Sequence, residues 1–232
     1  MISIIIPTLN EVSNIDNTVF RLKKLFKEIK IKYEIIFVDD KSTDGTIQKI
    51  KNCKKKLQLI KLIISNKRKG LGYALNQGVD ISKGKYILFL DADNSVGNNF
   101  LKKMIKSKDD NTLVIGSRYV RNSRISGVSK IEIFFSRSLN ILISKIFKIN
   151  IVDISHFLRI FPSTFKIKTT NYKHPSFFWE HSIKAKRNNM EIIEIPINFD
   201  ERKSGKTKNS FFKLFKSIIM SMKFLYLLKV SK

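Results

Sequence analysis

The chain alternates short apolar runs with segments of helical periodicity. Ile2 to Pro7 (ISIIIP) is a continuous apolar run, as in a strand buried on both faces. From Ile15, with Asn14 in the capping position, Val19, Leu22, Leu25, Phe26 and Ile29 recur at helical spacing. Tyr33 to Val38 (YEIIFV) repeats the strand pattern and runs into Asp39-Asp40. Thr43-Asp44-Gly45 is turn chemistry, followed by a short helix from Thr46. Leu59 to Ile64 is a third strand, Gly70 and Gly72 open a helix to about Ile81, and Lys85 to Leu90 (KYILFL) is a fourth strand. This alternation predicts an α/β fold with a mostly parallel central sheet flanked by helices.

The second half is less regular. Thr112 to Val120 reads as a strand. Ile131 to Phe147 reads as a helix with Glu132, Ser136, Asn140, Ser144 and Lys148 in one polar stripe, four residues apart. Trp179 to Arg187 is a short helix. Glu191 to Phe199 is a strand interrupted by Pro196, which places it at an edge or a bulge. Over Asn209 to Leu228, Asn209, Lys213, Lys216, Ser217 and Lys223 share one helical side, and Phe211, Leu214, Phe215, Ile218, Ile219 and Met222 the other. Such a helix suits a membrane interface or packs its apolar face on a core; the all-apolar stretch Phe224 to Leu228 favours the interface. With no repeat or linker in view, the expectation is one domain over residues 1–208 and an amphipathic helix over 209–232.

Composition narrows the classes. Hydrophobic residues make up 43% of 232, enough for a core, which excludes disorder from end to end. The single cysteine, Cys53, excludes a disulfide scaffold and suggests a reducing compartment. The first residues enter a strand pattern without the features of a secretory leader, and no charge-free apolar run reaches the roughly 18 residues of a membrane span. Against 45 Lys+Arg stand 19 Asp+Glu, a net charge of +26. That excess attracts polyanions, although Lys23-Lys24 and Lys54-Lys55-Lys56 read as solvated surface. Nucleic acid is not the expected partner, because the aromatics fall in apolar runs rather than between basic residues.

Three strand ends carry polar chemistry: Thr8-Leu9-Asn10-Glu11, Asp39-Asp40 and Asp91-Ala92-Asp93. Ligands of open α/β sheets bind beyond the carboxyl ends of the strands. Acidic residues at two of those ends repel unless a cation lies between them, and a divalent metal on a diphosphate resolves the conflict. A D-x-D after a strand offers the hard oxygens that Mg²⁺ or Mn²⁺ prefers.

These motifs resemble those of family-two glycosyltransferases with the nucleotide-diphospho-sugar transferase (GT-A) fold, and among them the dolichyl- or polyprenyl-phosphate sugar transferases (dolichol-phosphate mannosyltransferase-like). The resemblance runs from Ile2 to about Lys208. It rests on Ile6 to Glu11 (IPTLNE), Val38 to Thr46 (VDDKSTDGT), Lys69 to Gly72 (KGLG), Asp91 to Asp93, Gly116 to Tyr119 (GSRY), Asp153 through Arg159, and Arg202 to Lys208 (RKSGKTK). It implies that Pro7, Leu9, Glu11, Val38 and Asp40 line a nucleoside pocket. It further implies that Asp91 and Asp93 hold Mg²⁺ or Mn²⁺ on the diphosphate, with the Ala92 backbone passing close. Arg202 and Lys208 would clamp the sugar nucleotide. Arg118 would meet an acceptor phosphate, with Ser136 and either Lys130 or Arg137 as further ligands. The subgroup has a basic residue where Glu132 stands, and many relatives have Tyr in place of Leu9. The continuation Asn94-Ser95 after the D-x-D leaves the donor sugar open.

Simpler roles stand beside these. Asp39 and Asp44 suit turns, Gly70 and Gly72 a tight helix entry, and His156, His174 and His181 lack metal-ligand spacing. The acceptor decides the mechanism. A lipid phosphate is already an anion, whereas a hydroxyl needs a base, for which Glu180 in Trp179-Glu180-His181 is the candidate. Asp153 and Arg159 match the lipid-phosphate subgroup. The expectation is therefore an inverting transfer of a hexose from a nucleotide sugar (GDP-mannose or UDP-glucose type) to polyprenyl phosphate, by a peripheral protein on the cytoplasmic membrane face. The catalytic set would be Asp93, Arg118, Glu180 and Arg202. The alternative acceptor is a sugar hydroxyl in cell-envelope polysaccharide or glycolipid.

Overall fold

The computed structural model describes residues 1–93, 95–165 and 176–200. Strand β1 (Ile2–Thr8), helix α1 (Ile15–Ile29), β2 (Tyr33–Asp39), α2 (Thr46–Lys56), β3 (Ile60–Ile64), α3 (Leu71–Asp80) and β4 (Tyr86–Phe89) follow the expected alternation. Then come α4 (Asn98–Lys106), β5 (Thr112–Ser117), β6 (Arg124–Ser126), α5 (Lys130–Ile146), β7 (Arg159–Pro162), α6 (Ser176–Arg187), β8 (Glu191–Pro196) and β9 (Asn198–Asp200). Seven strands form one sheet in the order β3-β2-β1-β4-β7-β5-β8, and β6 pairs with β9 apart from it.

Both faces of the sheet are covered, which is why its strands read as unbroken apolar runs. Ile4 and Ile6 point to the layer of α1, α2 and α4, packing with Leu22, Phe26, Ile50 and Met104. Ile5 points the other way, toward α3, α5 and α6, with Leu75, Ile143 and Trp179. Each such wholly buried Ile or Leu contributes about 1.5–3 kcal/mol relative to exposure. Gly78 of α3 has a local reason: a Cβ there would lie 2.4 Å from Ile5 Cγ2, so α3 rests on β1 only through a glycine.

The structure departs from the sequence reading in four places. Asn14 makes no side-chain cap; its own backbone is helical and its amide donates to Glu11 Oε2 at 2.7 Å. The strand expected to Val120 ends at Ser117, because the next backbone N–H, of Arg118, donates to the Asp153 carboxylate instead of a neighbouring strand. Helix α4 and the short strands β6 and β7 were not expected. Finally, β7 is antiparallel to both β4 and β5. Strand β8 is at the sheet edge, as Pro196 required, and the chain past it moves to the β6–β9 pair.

Candidate active site

Strand direction places the site. Strands β2 and β4 run parallel to β1, and β3 runs parallel to β2. Because β7 is antiparallel to both β4 and β5, those two point the same way, and β8 follows β5. The loops after β1, β2, β4 and β5, and the segment entering β7, therefore share one edge. The chain moves outward from β1 through β2 to β3, then returns to place β4 on the other flank of β1. That reversal makes the ends of β1 and β4 the switch point of the sheet, the place where open α/β sheets form their ligand crevice. Arg118 leaves β5 two strands from Asp91, about 10 Å at the usual strand spacing.

The loops after β1 and β2 are knitted by short polar side chains. Asp39, wholly buried, accepts from Thr8 Oγ1 at 2.8 Å, Ser42 N at 2.7 Å and Ser42 Oγ at 2.6 Å. Asp44 accepts from Val12 N and from both the amide and the hydroxyl of Thr46, so it forms the turn. Asn10, at φ 59°, is fixed by Ser42 Oγ and Thr43 N. Asp40 accepts from the amides of Lys69, at 2.9 Å, and Gly70, at 3.1 Å. It thereby ties β2 to the entry of α3, where Gly70 adopts φ 91°. Pro7, Leu9 and Glu11 are partly accessible at the end of β1. Val38 departs from the implied role: its side chain is wholly buried in the core with Ile36 and Ala74.

Asp91 and Asp93 follow β4, both partly accessible, with Ala92 buried between them. Asp93 Oδ1 accepts from Ser95 N at 3.1 Å. Among the described residues no group of three or more His, Cys, Asp or Glu could enclose a metal ion. Two carboxylates with the remaining positions filled by diphosphate oxygens and water is the donor set that Mg²⁺ or Mn²⁺ accepts, so these residues fit such an ion.

A second cluster lies at the end of β5. Arg118 donates Nε to Asp153 Oδ2 and Nη2 to Asp153 Oδ1, both at 2.8 Å, a bidentate pair. Asp153 is wholly buried, which alone would raise its carboxyl; the Arg118 guanidinium outweighs this and holds it below the usual range. Glu194, the one acid in the run Ile192-Ile193-Glu194-Ile195, accepts from Val152 N and Asp153 N at 2.8 and 2.9 Å. That break in an apolar run was the available sequence signal for its role. The Arg118 guanidinium lies 4.9 Å from the Tyr119 ring centroid, and Tyr119 donates to Ser136 Oγ at 2.7 Å.

Ser136 belongs to the polar stripe of α5, whose middle (Ser136, Asn140 and Ser144) faces inward while Glu132 and Lys148 at its ends are exposed. Asn140 donates to the Ser136 carbonyl and accepts from Ser155 N, and both Asn140 and Ser144 are 2% exposed. Ile143 joins the core, but several other apolar residues of α5 face outward: Ile131 and Phe134 are 66% exposed, Phe135 53%, Leu142 50% and Ile146 40%. Of the expected phosphate ligands, Arg118 and Ser136 are joined through Tyr119. Arg137 is exposed and its charge acts on Tyr119. Lys130 is exposed six residues before Ser136, about 9 Å along the helix. Ser129 caps α5, its Oγ accepting from the Glu132 amide at 3.2 Å, and an acid in the first helical turn suits the positive end of the helix.

Glu180 is wholly buried on α6 and ion-paired with Lys184 at 2.6 Å. Beside it, His181 packs against Phe161, ring centroids 4.7 Å apart, and burial with the charges of Arg159 and Lys184 pushes its imidazole well below the usual value. Arg159 Nη1 lies 3.2 Å from His181 Nδ1, and since Arg only donates, Nδ1 is the acceptor. The same guanidinium donates to the carbonyls of His156, at 2.6 Å, and Ile154, shaping the turn that carries Asp153. Burial pushes Arg159 down to about 9. Arg202, Lys208, His174, Asn94 and the expected 209–232 helix lie outside the described residues.

Residues 3–166 match the Glycosyl transferase family 2 domain. The chain belongs to this family. It carries a glycosyltransferase domain of an enzyme family, and its fold is GT-A. Over 212 residues it is 28% identical to the dolichol-phosphate mannosyltransferase of Pyrococcus furiosus, a match covering 89% of this chain and 58% of that protein. The chain thus spans under two thirds of the length of that relative. The mannosyltransferase PcManGT of Pyrobaculum calidifontis, solved with GDP-Man and Mn²⁺, superposes with a TM-score of 0.67 at 17% identity, covering 100% of this chain and 65% of that one. Glucosyl-3-phosphoglycerate synthase of Mycobacterium tuberculosis, solved with Mn²⁺, UDP and phosphoglyceric acid, gives 0.67 at 16% identity, covering 100% and 78%. Among the described residues no helix is long and apolar enough to cross a membrane.

Proposed function

We propose that the chain transfers a hexose from a nucleotide sugar to a polyprenyl phosphate, with inversion and with Mg²⁺ or Mn²⁺, at the cytoplasmic face of a membrane. The observation that carries this reading is the shared edge. It sets the Asp91 and Asp93 carboxylates beside the β1–β4 crevice and the Arg118–Tyr119–Ser136 cluster two strands away. Pro7, Leu9, Glu11 and Asp40 flank the crevice on the nucleoside side. Asp91 and Asp93 would hold the ion, which when bound stabilises the charge of the departing diphosphate. Arg202 and Lys208 would add positive charge to the same leaving group.

Arg118 would orient the acceptor phosphate, which attacks the anomeric carbon from the face opposite the diphosphate. The bond from that carbon to the diphosphate breaks, a bond to the acceptor phosphate forms, and the nucleoside diphosphate leaves. An anionic acceptor needs no general base. The burial of Glu180 and its ion pair with Lys184 support this over a hydroxyl acceptor, which would require an accessible carboxylate. The outward apolar face of α5, beside the exposed Lys130, Arg137 and Lys145, supports a lipid surface as partner, because it offers apolar contact and cationic attraction together.

A donor-by-acceptor screen tests the reading. UDP-glucose, UDP-GlcNAc and GDP-mannose are each incubated with undecaprenyl phosphate in detergent micelles, with Mn²⁺ or EDTA. The expected result is a lipid-linked sugar phosphate from one donor, abolished by EDTA. Transfer only to a sugar hydroxyl, or transfer indifferent to EDTA, overturns it.

A further inference from the structure

Helix α1 sends two side chains, one turn apart, onto the segment that carries the two carboxylates. Thr18, wholly buried, donates its hydroxyl to the Ala92 carbonyl at 2.6 Å. Arg21 donates Nε to Asn98 Oδ1 at 2.6 Å and Nη2 to the Val96 carbonyl. These contacts bracket Asp93, with Ala92 held on one side and Val96 and Asn98 on the other. The segment has little ladder support of its own, since β4 ends at Phe89 and the Leu90 amide, donating to the Ile5 carbonyl, prolongs it by one bond. Ala92 and Val96 are 3% and 4% exposed, so their carbonyls depend on protein donors. The charge of Asp93 also acts on the Arg21 guanidinium, opposing the downward push of burial.

We propose that Thr18 and Arg21 are positioning residues, fixing Ala92 on one side of Asp93 and Val96 and Asn98 on the other so that Asp91 and Asp93 meet a divalent cation in one geometry. This rests on the functional reading above. The physical reason is the narrow tolerance of the ion. Mg²⁺ requires near-octahedral oxygens, and a carboxylate on an unsupported turn samples many orientations. Partners that orient a ligand from behind typically carry tenfold to hundredfold effects on metal affinity. Neither residue belongs to the motifs by which the chain resembles its family, and both lie 74 to 77 positions from their partners in sequence.

The test uses the full chain and reads Mn²⁺ binding by electron paramagnetic resonance, with saturating UDP or GDP. Nucleotide affinity in EDTA is measured alongside. Thr18→Val removes the donor and keeps the shape; Arg21→Met removes the charge and both bonds. Each is expected to weaken Mn²⁺ binding about tenfold while metal-free nucleotide affinity stays within about twofold, and Thr18→Ser is expected to restore it. A role confined to docking α1 on the sheet predicts a lower melting temperature with unchanged Mn²⁺ affinity, and that result overturns the proposal. If Thr18→Val fails to fold, Arg21→Met and Arg21→Lys decide the matter, because Arg21 is part-buried at its contacts. A wild-type chain that binds neither nucleotide nor Mn²⁺ overturns the functional reading and this proposal with it. A wild type that binds both, with variants that match it, overturns this proposal alone.

Discussion

The two flanks of the edge are built from different materials. After β1 and β2, the acids are satisfied by backbone amides and small hydroxyls: Asp39 by Ser42 and Thr8, Asp44 by Val12 and Thr46, Asp40 by Lys69 and Gly70. After β5, the structure leans on long charged side chains, with Arg118 clasping a buried Asp153 and Arg159 buried among carbonyls. Backbone-held carboxylates keep their shape when a charge in the crevice comes and goes. A guanidinium held by one carboxylate has further donors to offer an anionic acceptor. The contrast suggests a fixed donor side and an acceptor side organised around charge.

The largest expected effect breaks the donor side at its metal position. Asp93→Ala should lower metal-dependent turnover by about a thousandfold or more while circular dichroism stays that of the wild type. Next comes the charge pair. Asp153→Asn leaves Arg118 without its anion, and the loss should be about 3–5 kcal/mol in denaturant titrations. The matching donor-side change, Asp39→Asn, removes no partner charge and should cost about 1–2 kcal/mol. Equal losses would erase the contrast between the flanks.

Acid should sharpen it further. The Asp153 carboxyl is depressed in the fold, so its contribution is present above the unfolded value of 3.8 and is lost as pH falls through the folded value. His181 acts at milder pH. Above its ordinary value of 6.5 neither state binds the proton; below it the unfolded chain takes up a proton that the buried imidazole refuses, so stability falls. His181→Gln should flatten the decline between about pH 6.5 and 5 in thermal melts. The smallest stability effect belongs to the outer face of α5. Ile131→Ser with Phe135→Ser should change stability by about 0.5 kcal/mol or less yet reduce co-sedimentation with anionic vesicles. Unchanged sedimentation would contradict the proposed lipid contact of α5.

The first four strands were legible because a sheet covered on both faces demands unbroken apolar runs, and each run ended in polar turn residues. Helix α4 and strand β7 were not. Both are short, and β7 is a four-residue strand whose antiparallel placement depends on partners far away in sequence. The periodicity of α5 was legible, but periodicity alone does not say which side meets the protein. Here Asn140 turns inward because the Ser155 amide donates to its side chain, and Ser136 meets the Tyr119 hydroxyl just past the end of β5. For the site, Asp91 and Asp93 were visible as strand-end chemistry, and Arg118 through the likeness of Gly116 to Tyr119 (GSRY) to a family motif. Thr18 and Arg21 were not assigned, since their roles arise from contacts that only the fold creates, and the break that Glu194 makes in an apolar run went unread.

The division of labour is tested most directly by measuring both Michaelis constants on one variant from each flank. Asp40→Asn should raise the constant for the sugar nucleotide and leave that for polyprenyl phosphate unchanged, and Tyr119→Phe should do the reverse. Variants that shift both constants together would contradict a donor side and an acceptor side built separately along one edge.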